Sequence, residues 1–152
     1  MTSAEPTIFF EDIEVGSEQT SGWFEVERDE VIAFAARWDP YPHHLTDEGA
    51  AASLFGRIAA CAPHIFAISA RLSHDLPGPL AMTAGLGGDG LHLLAPVYAG
   101  TRVRLTRRFL AARASKSRPG VGIVTVEDSL SDPDGRPLFR TSGSMLVAKR
   151  SP

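Results

Sequence analysis

Apolar residues recur at two different spacings along this chain, and the change between them divides it. Thr20 to Val26 carries Trp23, Phe24 and Val26 and predicts a short strand. From Arg28 to Trp38, the residues Val31, Ile32, Phe34, Ala35 and Trp38 fall at helical spacing. Asp29 and Glu30 sit in the first turn, where negative charge suits the helix dipole. Pro40 ends that helix. Thr46 can cap a short helix over Asp47 to Ala52. Ile58 to Leu72 predicts a buried helix: Ile58, Ala62, Ile65, Phe66, Ser69 and Leu72 share one face, and alanines fill much of the rest. Pro63 suits a first turn, so regular helix should begin near Ala62.

Beyond the Gly/Pro linker from His74 to Pro79 the pattern becomes strand-like. Four segments follow, at 82–94, 101–113, 119–131 and 136–149. Val121, Ile123, Val124 and Val126 are β-branched, and Asp132-Pro133-Asp134-Gly135 is a hairpin turn. The order of strand, helices and meandering strands predicts an α+β fold, with an antiparallel sheet packed on one long helix. A second copy often covers the open edge of such a sheet. Residues 1–7 read as a loose tail, and 1–152 as a single domain.

Composition narrows the field. The 152 residues are 43% hydrophobic and 22% charged, an ordinary globular balance. A net charge of −3 weighs against nucleic acid as the main partner. Cys61 is the only cysteine, which excludes an internal disulfide and a cysteine metal cluster and suits a cytoplasmic setting. The N-terminus lacks the basic and apolar regions of a signal peptide, and no apolar run reaches the length of a membrane span. The histidines are not spaced as a metal-binding pair, so no metal site is expected.

The chemistry concentrates in Trp38-Asp39-Pro40-Tyr41-Pro42-His43-His44. Two prolines stiffen this loop and push Asp39 and Tyr41 to extended conformations. A stiff loop presenting a carboxylate and an imidazole suits paired acid/base work. Asp39 could equally be a carboxylate that ends a helix before proline, and His43 competes with His44.

Asp39, Tyr41, Pro42 and His44 match a pattern of Asp, a polar residue, Pro, and His five after the Asp. Downstream stand Phe55-Gly56, Ile58-Ala59-Ala60, His64, Gly88-Asp89, Leu94-Ala95-Pro96-Val97, and Ser115-Lys116-Ser117-Arg118-Pro119. In this order and spacing the chain resembles the MaoC-like dehydratase family, which includes (R)-specific enoyl-CoA hydratases, from about Phe9 to Val147. The resemblance implies a hotdog fold, an antiparallel sheet wrapped around a long central helix, and a homodimer or higher homo-oligomer. It implies a thioester of coenzyme A or an acyl carrier as substrate, and no cofactor beyond the coenzyme A of the substrate itself.

By the same resemblance Asp39 and His44 form the catalytic pair, and the backbone N–H of Ala62, aligned with a family glycine, binds the thioester oxygen. Tyr41 replaces a common Asn; it lines the acyl tunnel, donates a hydrogen bond or blocks the site. His64 and His92 are pocket candidates or satisfied core histidines. Lys116 and Arg118 either meet the coenzyme A phosphates or form a solvated hairpin. The expected activity is hydration of a trans-2-enoyl thioester. Thioester hydrolysis and non-catalytic acyl binding are the alternatives.

Overall fold

The computed structural model describes residues 6–151, so most of the expected tail at 1–7 lies outside the described residues. A 3-10 turn at Phe10–Asp12 leads to strands β1 (Glu18–Thr20) and β2 (Phe24–Glu25). Helix α1 (Arg28–Trp38), a 3-10 turn at Pro42–His44, α2 (Asp47–Ala51) and α3 (Ala62–Ser73) follow. The rest is strand: β3 (Met82–Gly87), β4 (Leu91–Leu93), β5 (Arg102–Ala114), β6 (Val121–Ser131) and β7 (Pro137–Ala148). All seven strands form one antiparallel sheet in the order β1-β5-β6-β7-β3, with β2 also on β5 and β4 also on β7. Helix α3 packs on β5 and β6, giving the α+β hotdog arrangement.

Two expected strands are each broken in two. Thr20 to Val26 does not run through, because Ser21 leaves the regular ladder: its N–H donates to the Leu105 carbonyl at 2.8 Å, and its hydroxyl accepts from the Leu105 N–H at 2.9 Å. The 82–94 segment is split at Gly87–Gly90 into β3 and β4, which both pair with β7. Gly87 and Gly90 have φ of +107° and +88°, open to glycine and strained for other residues. A Cβ on Gly88 would collide with the Ser142 carbonyl.

The α3 face also differs from the expected one. Ile65, Ser69 and Leu72 are buried as predicted, joined by His64 and Ile68, but Phe66 is 48% exposed.

The sheet's inward positions alternate with period two. On β5 they are Val103, Leu105, Arg107 and Phe109; on β6 they are Gly122, Val124, Val126, Asp128 and Leu130. The main core joins Val31, Ile65, Ile68, Leu72, Val97, Leu105, Leu130 and Phe139. A second cluster joins Phe109, Val124, Val126, Met145 and Val147. Arg107 and Asp128 stand between the two, paired across the β5–β6 ladder.

Candidate active site

Asp39 is the residue that terminates α1. Its N–H still donates to the Ala35 carbonyl at 2.9 Å, but its own backbone has left the helical region, as the following proline requires. The chain then folds back on itself: the Tyr41 N–H donates to the Asp39 carbonyl at 2.8 Å, and the His44 N–H to the Tyr41 carbonyl at 2.9 Å. Helix α2 supports this loop, capped by the Thr46 hydroxyl, which accepts from the Gly49 N–H at 3.0 Å. Gly49 sits so close to Pro42 that a Cβ there would collide with the Pro42 carbonyl.

His44 is 6% exposed, and its Nδ1 lies 2.6 Å from the Ala59 carbonyl. A carbonyl only accepts, so Nδ1 carries the proton and the lone pair of the neutral ring is on Nε2. The anchor is itself fixed. Ile58 to Cys61 runs buried alongside Val97 to Ala99, with Ala60 N–H to Val97 carbonyl at 2.8 Å and Ala99 N–H to Ile58 carbonyl at 3.0 Å. His43 lies on the outer side, stacked between Tyr41 and Phe55 at 5.5 and 5.1 Å. Burial first, then the neighbouring His44, pushes its pKa below the ordinary histidine value, and Asp39 partly opposes this.

Asp39, Tyr41, His43, His44, Phe55 and Ala62 line one cleft of about 450 Å³, together with Leu93–Val97. Ala62 opens α3, whose first-turn N–H groups have no partner within the helix. Pro63 has none to offer. Ala62 lines the cleft at this electropositive helix end. Burial pushes the Cys61 thiol up, which keeps it protonated.

The cleft therefore gathers Asp39, Tyr41, His44 and Ala62. It does not include His64, Lys116, Arg118 or His92. Two residues beyond Ala62 is about 200° around a helix, so His64 points the other way, toward α1. There it is 2% exposed and stacked on Phe34 at 4.5 Å. Lys116 and Arg118 lie on the β5–β6 turn, where the Arg118 N–H donates to the Ser115 hydroxyl at 3.1 Å.

His64 has a consequence for stability. Neither ring nitrogen has a hydrogen-bond partner among the described residues, and Glu30 Oε1 stands 3.9 Å from Nε2, beyond bonding distance. Burial lowers the His64 pKa and Glu30 only partly restores it. The unfolded chain therefore binds the proton more readily, so the protonation-linked cost of this site is absent above the ordinary histidine pKa and grows as pH falls below it. Denaturant unfolding at pH of about 7.5 and about 5.5, on either side of that pKa, should show a smaller acid loss for His64→Phe than for the unmodified protein. Equal losses would contradict this account.

A second cavity, of about 570 Å³, lies further along α3. Its walls include Phe66, Ser69, Ala70 and Ser73 of α3, Arg107 of β5, Asp128 of β6, and the glycine-rich β3–β4 segment. Arg107 Nε and Nη2 donate to Asp128 Oδ1 and Oδ2, both at 2.8 Å. Sequence reading missed this pair. Counting by twos from Leu105 and from Val126 would have placed both charges on the inward face.

No family model matches the sequence, and a comparison with curated proteins finds no match. Solved structures do match. A MaoC-like dehydratase from Rhodospirillum rubrum is 35% identical, with a TM-score of 0.87 over 95% of this chain and 99% of that one. An (R)-hydratase from A. caviae involved in PHA biosynthesis is 25% identical, with a TM-score of 0.68 over 90% of this chain and 96% of that one. The (R)-hydratase PhaJ1 from Pseudomonas aeruginosa, 23% identical with a TM-score of 0.74 over 95% of this chain and 88% of that one, shares the fold. Given this fold and these relatives, the chain belongs to the MaoC-like dehydratase family, a family of hydratases and dehydratases.

Proposed function

We propose that this protein adds water across the double bond of a trans-2-enoyl thioester, of coenzyme A or of an acyl carrier, and catalyses the reverse dehydration. The observation that carries the reading is that Asp39, the anchored His44 and Ala62 at the start of α3 line one cleft. A water between Asp39 and His44 gives one proton to the Asp39 carboxylate and one hydrogen bond to His44 Nε2. Its oxygen bonds to C3 of the enoyl group, and the C2–C3 π electrons shift toward the thioester oxygen. The Ala62 N–H stabilises that developing charge. The protonated member of the pair then returns the proton to C2, so the elements of one water are added and the thioester bond is kept. This proton bookkeeping calls for no redox cofactor.

The two neighbouring histidines provide the test. With an enoyl-CoA as substrate, His44→Gln should lower the rate of loss of the conjugated enoyl absorbance by about 10²–10³-fold, because the water loses the acceptor that orients it. His43→Gln, changing a wall residue, should cost less than about tenfold, roughly the worth of one neutral contact. Thiol release followed in parallel should stay at background. Release of free thiol in step with enoyl loss would replace this reading with thioester hydrolysis.

A second copy completes the proposal. Among the described residues β3 ends the sheet with only β7 beside it, and every residue from Met82 to Gly87 is exposed. Met82, Leu86, Leu91, Leu93 and Leu94 leave apolar side chains in solvent along that margin. An unpaired apolar edge of this kind fits pairing with itself. Light scattering should give a dimer mass, and Leu86→Lys should shift it toward the monomer. A monomeric unmodified protein would contradict the pairing.

A further inference from the structure

We infer that the cavity between α3 and the sheet receives the acyl chain, and that Ser69, Arg107 and Asp128 select a chain bearing an uncharged oxygen, a hydroxyl or a ketone, well beyond the thioester. The inference rests on the enoyl-thioester reading of the Asp39/His44 cleft. Its starting point is three polar side chains where a hotdog core could hold apolar ones. Ser69, Arg107 and Asp128 are 3%, 8% and 8% exposed, and all three line the same cavity. A buried ion pair seldom improves stability over apolar residues of similar size, so its presence points to another role.

These groups keep bonding capacity in hand. Arg107 spends Nε and Nη2 on Asp128, leaving Nη1 with no partner among the described residues. The Ser69 hydroxyl has none either. Yet the only described side-chain polar atoms both sealed and unpartnered are the two His64 nitrogens. Arg107 Nη1 and Ser69 Oγ therefore open onto free space, and the space their residues line is this cavity. The neighbouring hydroxyls are already committed. Ser73 donates to the Ala70 carbonyl, Thr141 to the Gly90 carbonyl, Ser142 to the Asp89 carbonyl, and Ser144 shares a bond with Thr125.

Position links the cavity to the chemistry. Ala62, Phe66, Ala70 and Ser73 succeed one another at helical spacing on one face of α3. Ala62 lines the catalytic cleft and the other three line the cavity. Leu93 and Leu91 make the same transition on β4. Phe66, half exposed, stands at the boundary. Ala62 to Ser73 spans about 16 Å of helix, a reach suited to an extended acyl chain. Charge settles the ligand class. Asp128 already neutralises Arg107, so a carboxylate end would meet no net positive charge, whereas a hydroxyl or ketone can accept from Nη1 and a hydroxyl can also donate to Asp128.

The test pairs two trans-2-enoyl-CoA substrates of equal length, one with a terminal hydroxyl and one without. Alongside, calorimetry measures binding of the corresponding saturated acyl-CoAs. The hydroxylated member should be favoured about tenfold in kcat/KM and in affinity, the worth of roughly one good hydrogen bond. Ser69→Ala should shrink that ratio severalfold, and Ser69→Thr, which keeps the hydroxyl, should retain it. Equal turnover and equal binding of the two chains, or preference for the plain chain, would overturn the inference. Preferential binding of the hydroxylated chain without turnover of any enoyl-CoA would uphold the chamber and remove the hydratase reading instead.

Discussion

Asp39→Asn is expected to lower kcat for enoyl-CoA hydration by about a thousandfold, within the range attributed to a positioned general base. The Asp39 side chain makes no hydrogen bond or ion pair with the described residues, so the exchange removes a proton acceptor without stranding a partner. Asparagine has nearly the same size and shape. KM should therefore stay within about threefold and the unfolding midpoint should barely move, the signature of an interaction made in the transition state. Steady-state kinetics with a thermal melt of each protein would check it. A fall in kcat accompanied by a large loss of stability would mean that Asp39 serves the helix end and not the chemistry.

Arg107→Met is expected to cost about 3–5 kcal/mol of folding stability, because it leaves the Asp128 carboxylate buried without its counter-ion. The pair is bidentate, and both side chains are about nine-tenths removed from solvent. The double change Arg107→Met with Asp128→Leu should recover most of the loss, since the site then joins the two apolar clusters on either side. Urea unfolding of the single and double variants closes the cycle. A double variant as unstable as the single one would show that the cavity, and not the unpaired charge, governs the cost.

Much of this architecture is legible in the chain, and the failures have physical causes. The period-two alternation of β5 and β6 follows from burying one face of each strand against the core, whereas β7 buries consecutive residues at both of its ends. The end of α1 at Trp38 and the start of α3 at Ala62 follow from proline chemistry, which acts locally and can be read locally. The break between β3 and β4 could not be read in the same way. Four residues of glycine and aspartate permit a kink but do not require one; the close approach of Gly88 to the Ser142 backbone requires it, and Ser142 lies far along the chain.

Site residues divide along the same line. Asp39 and His44 are reached through a short, stiff loop, so their spacing carries most of their geometry. Spacing from Asp39 favours His44 over His43; that its ring is the one anchored, by the Ala59 carbonyl of another segment, could not be read from the sequence. His64 reads from the sequence as either a pocket residue or a core histidine, and helical rotation carries it to the α1 side, away from the cleft. Ser69 reads as part of the buried α3 face, and only the sheet beneath shows what it meets there.

The most direct measurement is the fate of the substrate in heavy water. An enoyl-CoA incubated with the protein in D₂O and followed by proton NMR should acquire one deuteron at C2 and an oxygen at C3, with the thioester intact, and Asp39→Asn should abolish the change. Release of free thiol with an unchanged, undeuterated enoyl chain would contradict hydration, as would an enoyl-CoA that stays unaltered beside folded protein.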